Sequence, residues 1–122
     1  MKENSELKDN QLVEMKCKLY RNIGLILEEE EKFKEATDFY RKAMQLSKRH
    51  NMAEEMYTLN ICIAEVLLKE NQYNESLPHF NQALTIATKL DNKTFICYSS
   101  LRKSQVRCQI QLFFYFDFKI FK

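Results

Sequence analysis

Glycine and proline are almost absent from this chain, which has one of each in 122 residues. An all-β fold needs such residues in its many tight turns, so their scarcity argues against that class. It favours helices joined by short polar loops. The single glycine, Gly24, cannot form a glycine-rich phosphate-binding loop, and we interpret it as a small residue at a helix crossing.

Features that would indicate several other classes of protein are also missing. The net charge is only +2, with acidic and basic residues interspersed, so charge gives no reason to expect nucleic acid binding. No apolar run is long enough for a transmembrane helix, which needs about 18 residues. The first residues, MKENSELKDN, lack the apolar segment of a secretory signal. We therefore expect a cytoplasmic protein.

Residues that could carry catalysis or bind a metal are few and scattered. The four cysteines have no C-x-x-C spacing, and we expect them to be reduced thiols. The two histidines, His50 and His79, lie far apart, and no Cys/His or Ser/His pairing is apparent. We therefore expect no enzyme activity, no metal and no cofactor.

What the chain does contain is an internal repeat with a period of 40 residues. Shifted by 40 positions, Leu19 falls on Leu59, Ile23 on Ile63 and Leu27 on Leu67. The register continues with three more pairs: Phe33 and Tyr73, Tyr40 and Phe80, Ala43 and Ala83. A repeat of this length predicts a helical solenoid, in which each unit buries its apolar face by stacking on the next.

The spacing of apolar residues predicts five helices, near 11–30, 34–49, 53–70, 74–90 and 93–111. The predicted fold class is all-α: antiparallel helix pairs stacked as a short right-handed α-solenoid, with two full repeats and a further helix. We divide the chain into a flexible N-terminus (1–10), a helical repeat domain (11–111) and an aromatic-rich tail (112–122).

Two local signals refine this helix pattern. Asn51 tolerates left-handed geometry and predicts a turn after the second helix. Pro78 removes a backbone donor and disfavours helix at the residue before it, so it predicts a kink or a late start in the fourth helix.

The composition changes abruptly in the tail, where LFFYFDFKIF holds six of the chain's aromatic residues. Three alternatives remain open for it: a cap that extends the fifth helix, a disordered or non-native terminus, and a segment that docks on a partner or membrane surface. An exposed apolar patch of this size favours association. Self-association is expected through Phe113, Phe114, Phe116 and Phe118.

The paired helices resemble tetratricopeptide repeats, in which small and aromatic residues alternate between the two helices of a unit. The matching residues of the first unit are Gly24, Phe33, Ala36, Tyr40 and Ala43. Those of the second are Ala64, Tyr73, Ser76, Phe80 and Ala83. Asn60 departs from the pattern, since a large aromatic residue is usual there. The 40-residue spacing looks like the long-helix variety found in animal spindle-orientation scaffolds and in peptide-pheromone receptors of bacilli.

The resemblance implies a protein–protein interaction module that binds a peptide or partner helix in a concave groove. The alternative is a fragment of a bacterial peptide-sensing regulator. By resemblance the groove is lined by Lys18, Arg21, Asn22, Leu25, Thr58, Ile61, Glu65, Tyr98, Arg102 and Gln105, with Glu28, Glu29, Cys62, Leu68, Leu101 and Gln109 in the same set. Arg21 and Arg102 also match two positions of a known carboxylate clamp. Leu25, Cys62 and Tyr98 do not match its other positions, so we do not predict the clamp.

Overall fold

Five α-helices form the computed structural model, which describes the backbone of residues 2–120 and the side chains of residues 5–117. They are α1 (Lys2–Glu29), α2 (Phe33–Arg49), α3 (Ala53–Lys69), α4 (Tyr73–Lys89) and α5 (Lys93–Ile120). Residues 2–120 contain no strand. Each helix packs against the next one along the chain. The predicted all-α solenoid of helix pairs is therefore confirmed.

The four turns between helices share one geometry, although none contains a glycine. One residue in each turn has a left-handed backbone, with φ between 51° and 64°: Glu31, Asn51, Asn71 and Asp91. The next amide reaches back across the helix end, as from Lys32 N to Leu27 O at 2.9 Å. This is the hydrogen-bond pattern of a Schellman motif. The prediction for Asn51 is confirmed.

Contacts within each repeat follow the pairing of small and large residues. A Cβ added to Gly24 would lie 2.5 Å from the Cε1 atom of Tyr40, so α1 and α2 approach closely at this point. In the second repeat the corresponding residues are Ala64 and Phe80, and both are fully buried. The interpretation of Gly24 as a small residue at a helix crossing is confirmed.

Contacts between repeats bury a second face of α3 and α5. Leu59 and Val66 of α3 are fully buried in a cluster with Ala36 and Ala43 of α2. Val106 of α5 is equally buried, against Ala64 and Phe80. The first helix of each later unit therefore packs on the helix pair before it, as a solenoid requires.

The outermost helices are longer than predicted. Helix α1 begins at Lys2 rather than near residue 11, and α5 continues to Ile120 rather than ending near 111. Residues 2–10 and 112–120 contain no glycine or proline that would interrupt a helix. The tail extends the fifth helix, but Leu112 to Phe116 remain 52–64% exposed, so these residues form a projecting helix rather than a buried cap. Residues 121 and 122 lie outside the described part of the chain.

Helix α4 does not start late, because it begins at Tyr73 despite Pro78. Its first turn is fixed independently of the proline, by a bond from Ser76 N to Gln72 O at 3.2 Å. Proline at position 78 removes only the bond to the carbonyl oxygen of Asn74. That residue is exposed, so water can hydrate the released oxygen.

Candidate functional site

Helices α1, α3 and α5 share one face, along which side chains of neighbouring repeats form ion pairs. Arg21 Nη1 lies 2.7 Å from Glu55 Oε2, and Lys69 Nζ lies 2.6 Å from Glu28 Oε2. Both pairs join α1 to α3. Arg102 of α5 pairs with Glu65 of α3 at 2.7 Å. We call this surface the odd-helix face and define it by Arg21, Glu28, Glu55, Glu65, Lys69, Tyr98 and Arg102.

Glu65 is the centre of the α3–α5 part of this face. Its carboxylate accepts hydrogen bonds from Arg102 Nε at 2.9 Å, from Arg102 Nη2 at 2.7 Å and from the Tyr98 hydroxyl at 3.2 Å. Arg102 also donates to Gln105 Oε1 at 2.8 Å. Hydrogen bonding to Glu65 raises the pKa of Arg102, while burial and then the Glu65 charge raise the pKa of Tyr98. Four of the predicted site residues thus form one network.

The two arginines at clamp positions are both paired with carboxylates of α3. The side chains of Arg21 and Glu55 are only 21% and 12% exposed. Arg102 meets Glu65 through two parallel N–H donors, the geometry that makes arginine–carboxylate pairs strong. Neither guanidinium therefore presents an unpaired charge to a ligand carboxylate, which agrees with the mismatches at the other clamp positions.

Glu28 also joins this face to the buried side chain of Tyr40. The Tyr40 hydroxyl donates to Glu28 Oε1 at 3.0 Å, while the other carboxylate oxygen pairs with Lys69. Burial, followed by the nearby Glu28 charge, raises the pKa of Cys62 to about 12. The Cys62 thiol is therefore protonated at neutral pH, and a thiol in that state is a poor nucleophile.

The remaining predicted residues are not joined in this network. Lys18 pairs with Glu14 along α1 at 3.0 Å, and Thr58 Oγ1 donates to the Glu54 carbonyl oxygen of its own helix at 3.0 Å. Asn22 is exposed. Ile61 packs against two core clusters between α3, α4 and α5, so it contributes chiefly to the core.

Three apolar side chains stand exposed beside the paired charges. Leu25 is 40% exposed, Tyr98 43% and Leu101 57%. Leu25 follows Arg21 by four positions, and Leu101 follows Tyr98 by three, so they lie on the same side of their helices as those residues. The odd-helix face therefore has exposed apolar side chains next to ion-paired charged residues.

Sequence reasoning missed Glu55 and Lys69, the α3 partners of Arg21 and Glu28. In the repeat register Arg21 corresponds to position 61, six residues away from Glu55. The pairing therefore depends on the tilt between α1 and α3, and the sequence pattern does not encode that tilt. The abundance of charge on these helices was the only available signal.

A second polar site lies on the opposite side, where Asn60 replaces the usual aromatic residue. Asn60 is 4% exposed, and its Nδ2 donates to the Met56 carbonyl oxygen at 3.0 Å. Its Oδ1 lies 3.3 Å from His79 Nδ1. Burial, and then the charges of Arg41 and Lys48, lower the pKa of His79. Both polar atoms of the Asn60 side chain therefore have a hydrogen-bond partner, although the position usually holds an aromatic residue.

The described residues form neither a metal-binding cluster nor a membrane-spanning helix. No group of three or more His, Cys, Asp and Glu side chains there could hold a metal ion. No helix in the described part of the chain is long and apolar enough to cross a membrane.

The fold and its contacts define the chain as an α-helical repeat protein. Residues 18–50, which include most of the first helix pair, match the tetratricopeptide repeat family. For residues 18–50 this match confirms the resemblance drawn from the small and aromatic positions, and a similar helix pair recurs 40 residues further along the chain. Proteins of this family typically act as non-enzymatic modules for protein–protein interaction.

Two curated relatives are both Tonsoku-like proteins. The protein of Drosophila melanogaster is 28% identical over 96 residues, which is 77% of this chain. The protein of Danio rerio is 22% identical over 95 residues, which is 76% of this chain. In both cases the matched region is 7% of the relative's length. The chain thus spans a small fraction of the relatives it matches.

Proposed function

We propose that this chain binds a peptide or a partner helix on the odd-helix face and acts as a non-catalytic scaffold in the cytoplasm. The observation that carries this proposal is the exposure of Leu25, Tyr98 and Leu101 beside ion pairs that link α1, α3 and α5. Three alternate helices, α1, α3 and α5, thus contribute to one surface. An extended peptide or a helix laid across them would contact all three.

The ion pairs support binding by holding side chains in place before a ligand arrives. Partly exposed pairs of this kind contribute little to folding stability, typically about 0–1 kcal/mol. They do restrict the rotamers of Arg21, Glu65 and Arg102, and ordering such side chains on binding would otherwise cost about 0.5–1.5 kcal/mol each. A face ordered in advance therefore binds a ligand at a lower entropic cost.

The balance of charge indicates what kind of ligand fits. Each basic group of the odd-helix face is paired with a carboxylate, so the surface has no strong field of one sign. Recognition of a ligand would then depend on its apolar side chains and on hydrogen bonds to specific residues of the face. We expect a segment of mixed polarity whose apolar side chains pack on Tyr98 and Leu101.

The cysteines support a scaffold rather than an enzyme, and they suit a reducing compartment. All four are free thiols: Cys17, Cys62, Cys97 and Cys108. Burial raises the pKa of Cys17 as well as that of the partly buried Cys62, so neither thiol is activated. Unpaired thiols are usual in the cytoplasm.

The tail offers a second surface, through which the chain would self-associate. Phe113, Phe114 and Phe116 are 62%, 64% and 57% exposed on the projecting end of α5. The side chain of Phe118, the fourth residue expected to take part, lies outside the described residues. Contacts between copies through these rings would remove a large apolar area from water.

A peptide selection tests the binding face. Peptides would be selected on the full chain from a displayed random library, and their Kd measured by isothermal titration calorimetry. We expect Tyr98→Ala and Leu101→Ala to weaken binding about tenfold or more, which corresponds to about 1.4 kcal/mol. Matched controls are Gln82→Ala and Thr85→Ala, exposed positions on α4, and these should change Kd less than about twofold. If the control variants weaken binding and the α5 variants do not, the proposed face is wrong.

A further inference from the structure

Helix α1 has a second apolar face, directed away from both α2 and the odd-helix face. Four large side chains lie along it at helical spacing, and each is more than half exposed: Leu12 (62%), Met15 (65%), Leu19 (57%) and Ile26 (57%). Nothing within the described residues covers these side chains. A continuous stripe of this kind on a helix is typical of a contact surface rather than of a solvated one.

The internal repeat shows what covers this face in the later units. Forty residues on, Leu59 and Val66 replace Leu19 and Ile26, and both are fully buried against α2. Forty residues further, Ser99 and Val106 are 0% and 1% exposed. The same two positions are therefore buried in the second and third units and exposed only in the first.

We propose that the α1 stripe of Leu12, Met15, Leu19 and Ile26 docks a helix with the pattern of α2, as the second helix of a repeat unit stacked ahead of α1. The chemistry of that helix is given by the residues of α2 that cluster with Leu59 and Val66: Ala36, Tyr40, Ala43 and Met44. Ala36 and Ala43 lie about two helical turns apart and allow close approach, and the larger residues fill the space beside them.

A second copy of this chain is a poor occupant for the same face. The α2 surface with the required pattern is already buried under α3. The corresponding α4 surface, with Phe80, is buried under α5 through Val106. The described part of an intact copy therefore has no free helix of this pattern, whereas an additional repeat unit would supply one. This inference goes beyond the proposed odd-helix binding face and does not depend on it.

A graft tests the proposal within one polypeptide. Residues 1–12 are replaced by a copy of residues 33–52, so that the copied helix and its turn lead into residue 13 as α2 leads into Ala53. Met52 of the copy then takes the position of Leu12, and Met15, Leu19 and Ile26 of the stripe are kept. We expect the melting temperature to rise by more than about 5 °C, because stability in a solenoid grows with each stacked interface. The matched control carries Ala43→Glu in the copy only, and it should lose the gain.

A paired substitution reports directly on the stripe. In the natural chain, Leu19→Glu with Ile26→Glu should change the melting temperature by less than about 2 °C, because both positions are exposed. In the grafted chain the same pair should lower it by more than about 8 °C, since two charges would then be buried. An equal and small effect in both chains would overturn the proposal.

A measurement in trans covers the case in which the graft does not fold. A synthetic peptide of residues 33–52 is titrated into the full natural chain in the presence of a hydrophobic dye. We expect the peptide to displace dye from the natural chain and not from the Leu19→Glu, Ile26→Glu variant. Equal displacement from both would contradict the proposal. So would light scattering that shows a natural dimer dissociated by this variant, since the occupant would then be a second copy.

Discussion

Gly24 and Tyr40 show how one hydroxyl group determines a residue on the neighbouring helix. The Tyr40 side chain runs along α1 to reach Glu28, and its ring therefore fills the space that a Cβ at position 24 would need. Phe80 has no hydroxyl to tether, and its repeat partner is Ala64 rather than glycine. Glycine is therefore paired with tyrosine in the first repeat, and the larger alanine is paired with the shorter phenylalanine in the second.

Gly24→Ala should destabilise the fold, although alanine favours helix over glycine by about 1 kcal/mol. A contact of 2.5 Å forces the buried Tyr40 ring to move, and overpacking of this kind costs about 1–3 kcal/mol. The double variant with Tyr40→Phe recreates the pairing of Ala64 with Phe80, so its loss should be smaller than the sum of the two single losses. Urea unfolding of all four proteins measures the difference. If the loss in unfolding free energy of the double variant equals the sum of the two single losses, this account is contradicted.

His79 should make stability depend on pH. Its pKa is lowered from 6.5 by burial and by the charges of Arg41 and Lys48, so the folded state disfavours the protonated ring. The stabilisation is fully present above the unfolded value of 6.5, and it is lost as the pH falls through the lower folded value.

His79→Gln should therefore flatten the fall in melting temperature between about pH 7 and about pH 5. Glutamine can still face Asn60 but does not titrate. Differential scanning fluorimetry across this range gives the two profiles, and His50→Gln, at the other and exposed histidine, serves as the control. Parallel profiles for the natural chain and His79→Gln would show that His79 does not cause the dependence.

At the scale of helices and turns, sequence reasoning placed the inner elements well and the outer ends poorly. Helices α2, α3 and α4 lie within one residue of their predicted limits, because polar turns bound their apolar repeats on both sides. The start of α1 and the end of α5 have no such boundary. In the repeat register Gln111 corresponds to the left-handed Asn71, but α5 continues through it. Where no second helix packs against the end of a terminal helix, the intrinsic helix propensity of its residues determines how far it extends.

Glu31 is the least favourable residue among the four left-handed turn positions. A non-glycine residue pays about 1–2 kcal/mol for this backbone, although asparagine and aspartate tolerate it better. Glu31→Gly should therefore raise the melting temperature by about 3–5 °C. Asn51→Gly, at the same position of the next turn, should change it less. Thermal melts of both variants test this prediction. If Asn51→Gly raises the melting temperature as much as Glu31→Gly or more, the left-handed backbone of Glu31 is not the cause.

Phe80 joins α3, α4 and α5, because it is fully buried between Ala64 and Val106. Phe80→Ala should remove about 3–5 kcal/mol from the free energy of unfolding, a large part of what a small domain has. We expect the variant to be unfolded at room temperature by circular dichroism. Phe116→Ala, at an exposed ring, should leave the melt almost unchanged. A cooperative Phe80→Ala melt shifted by less than about 4 °C would contradict the prediction.

For the whole molecule, the sequence indicates which helices share one surface but not how the charges on that surface are arranged. Arg21, Glu65, Tyr98 and Arg102 were all expected on one surface, because repeat positions predict facing. Their mutual pairing was not expected, since an ion pair between repeats depends on the tilt of one helix against the next. Ile61 is expected on the same surface for the same reason, and it is partly buried against two core clusters.

The tail should govern the oligomeric state of the whole chain. We expect size-exclusion chromatography with light scattering to show self-association of the full chain, and a chain ending at Gln111 to be monomeric. The shortened chain should keep its melting temperature, because Leu112 to Phe116 are mostly exposed. The Leu19→Glu, Ile26→Glu variant of the full chain separates the α1 stripe from the tail. If the full chain is a monomer and truncation lowers its melting temperature, the tail is part of the fold.

The uniform turns also bear on how quickly this chain reaches its fold. Left-handed residues recur at 31, 51, 71 and 91, so each helix meets its neighbour after the same short reversal. The most distant side-chain hydrogen bond among the described residues joins Ser99 to Tyr57, 42 positions apart. Proteins built from local contacts fold in microseconds to milliseconds, because little loop entropy is lost before contacts form. A helix pair anywhere in the array can therefore act as the nucleus, and order can spread from it in both directions.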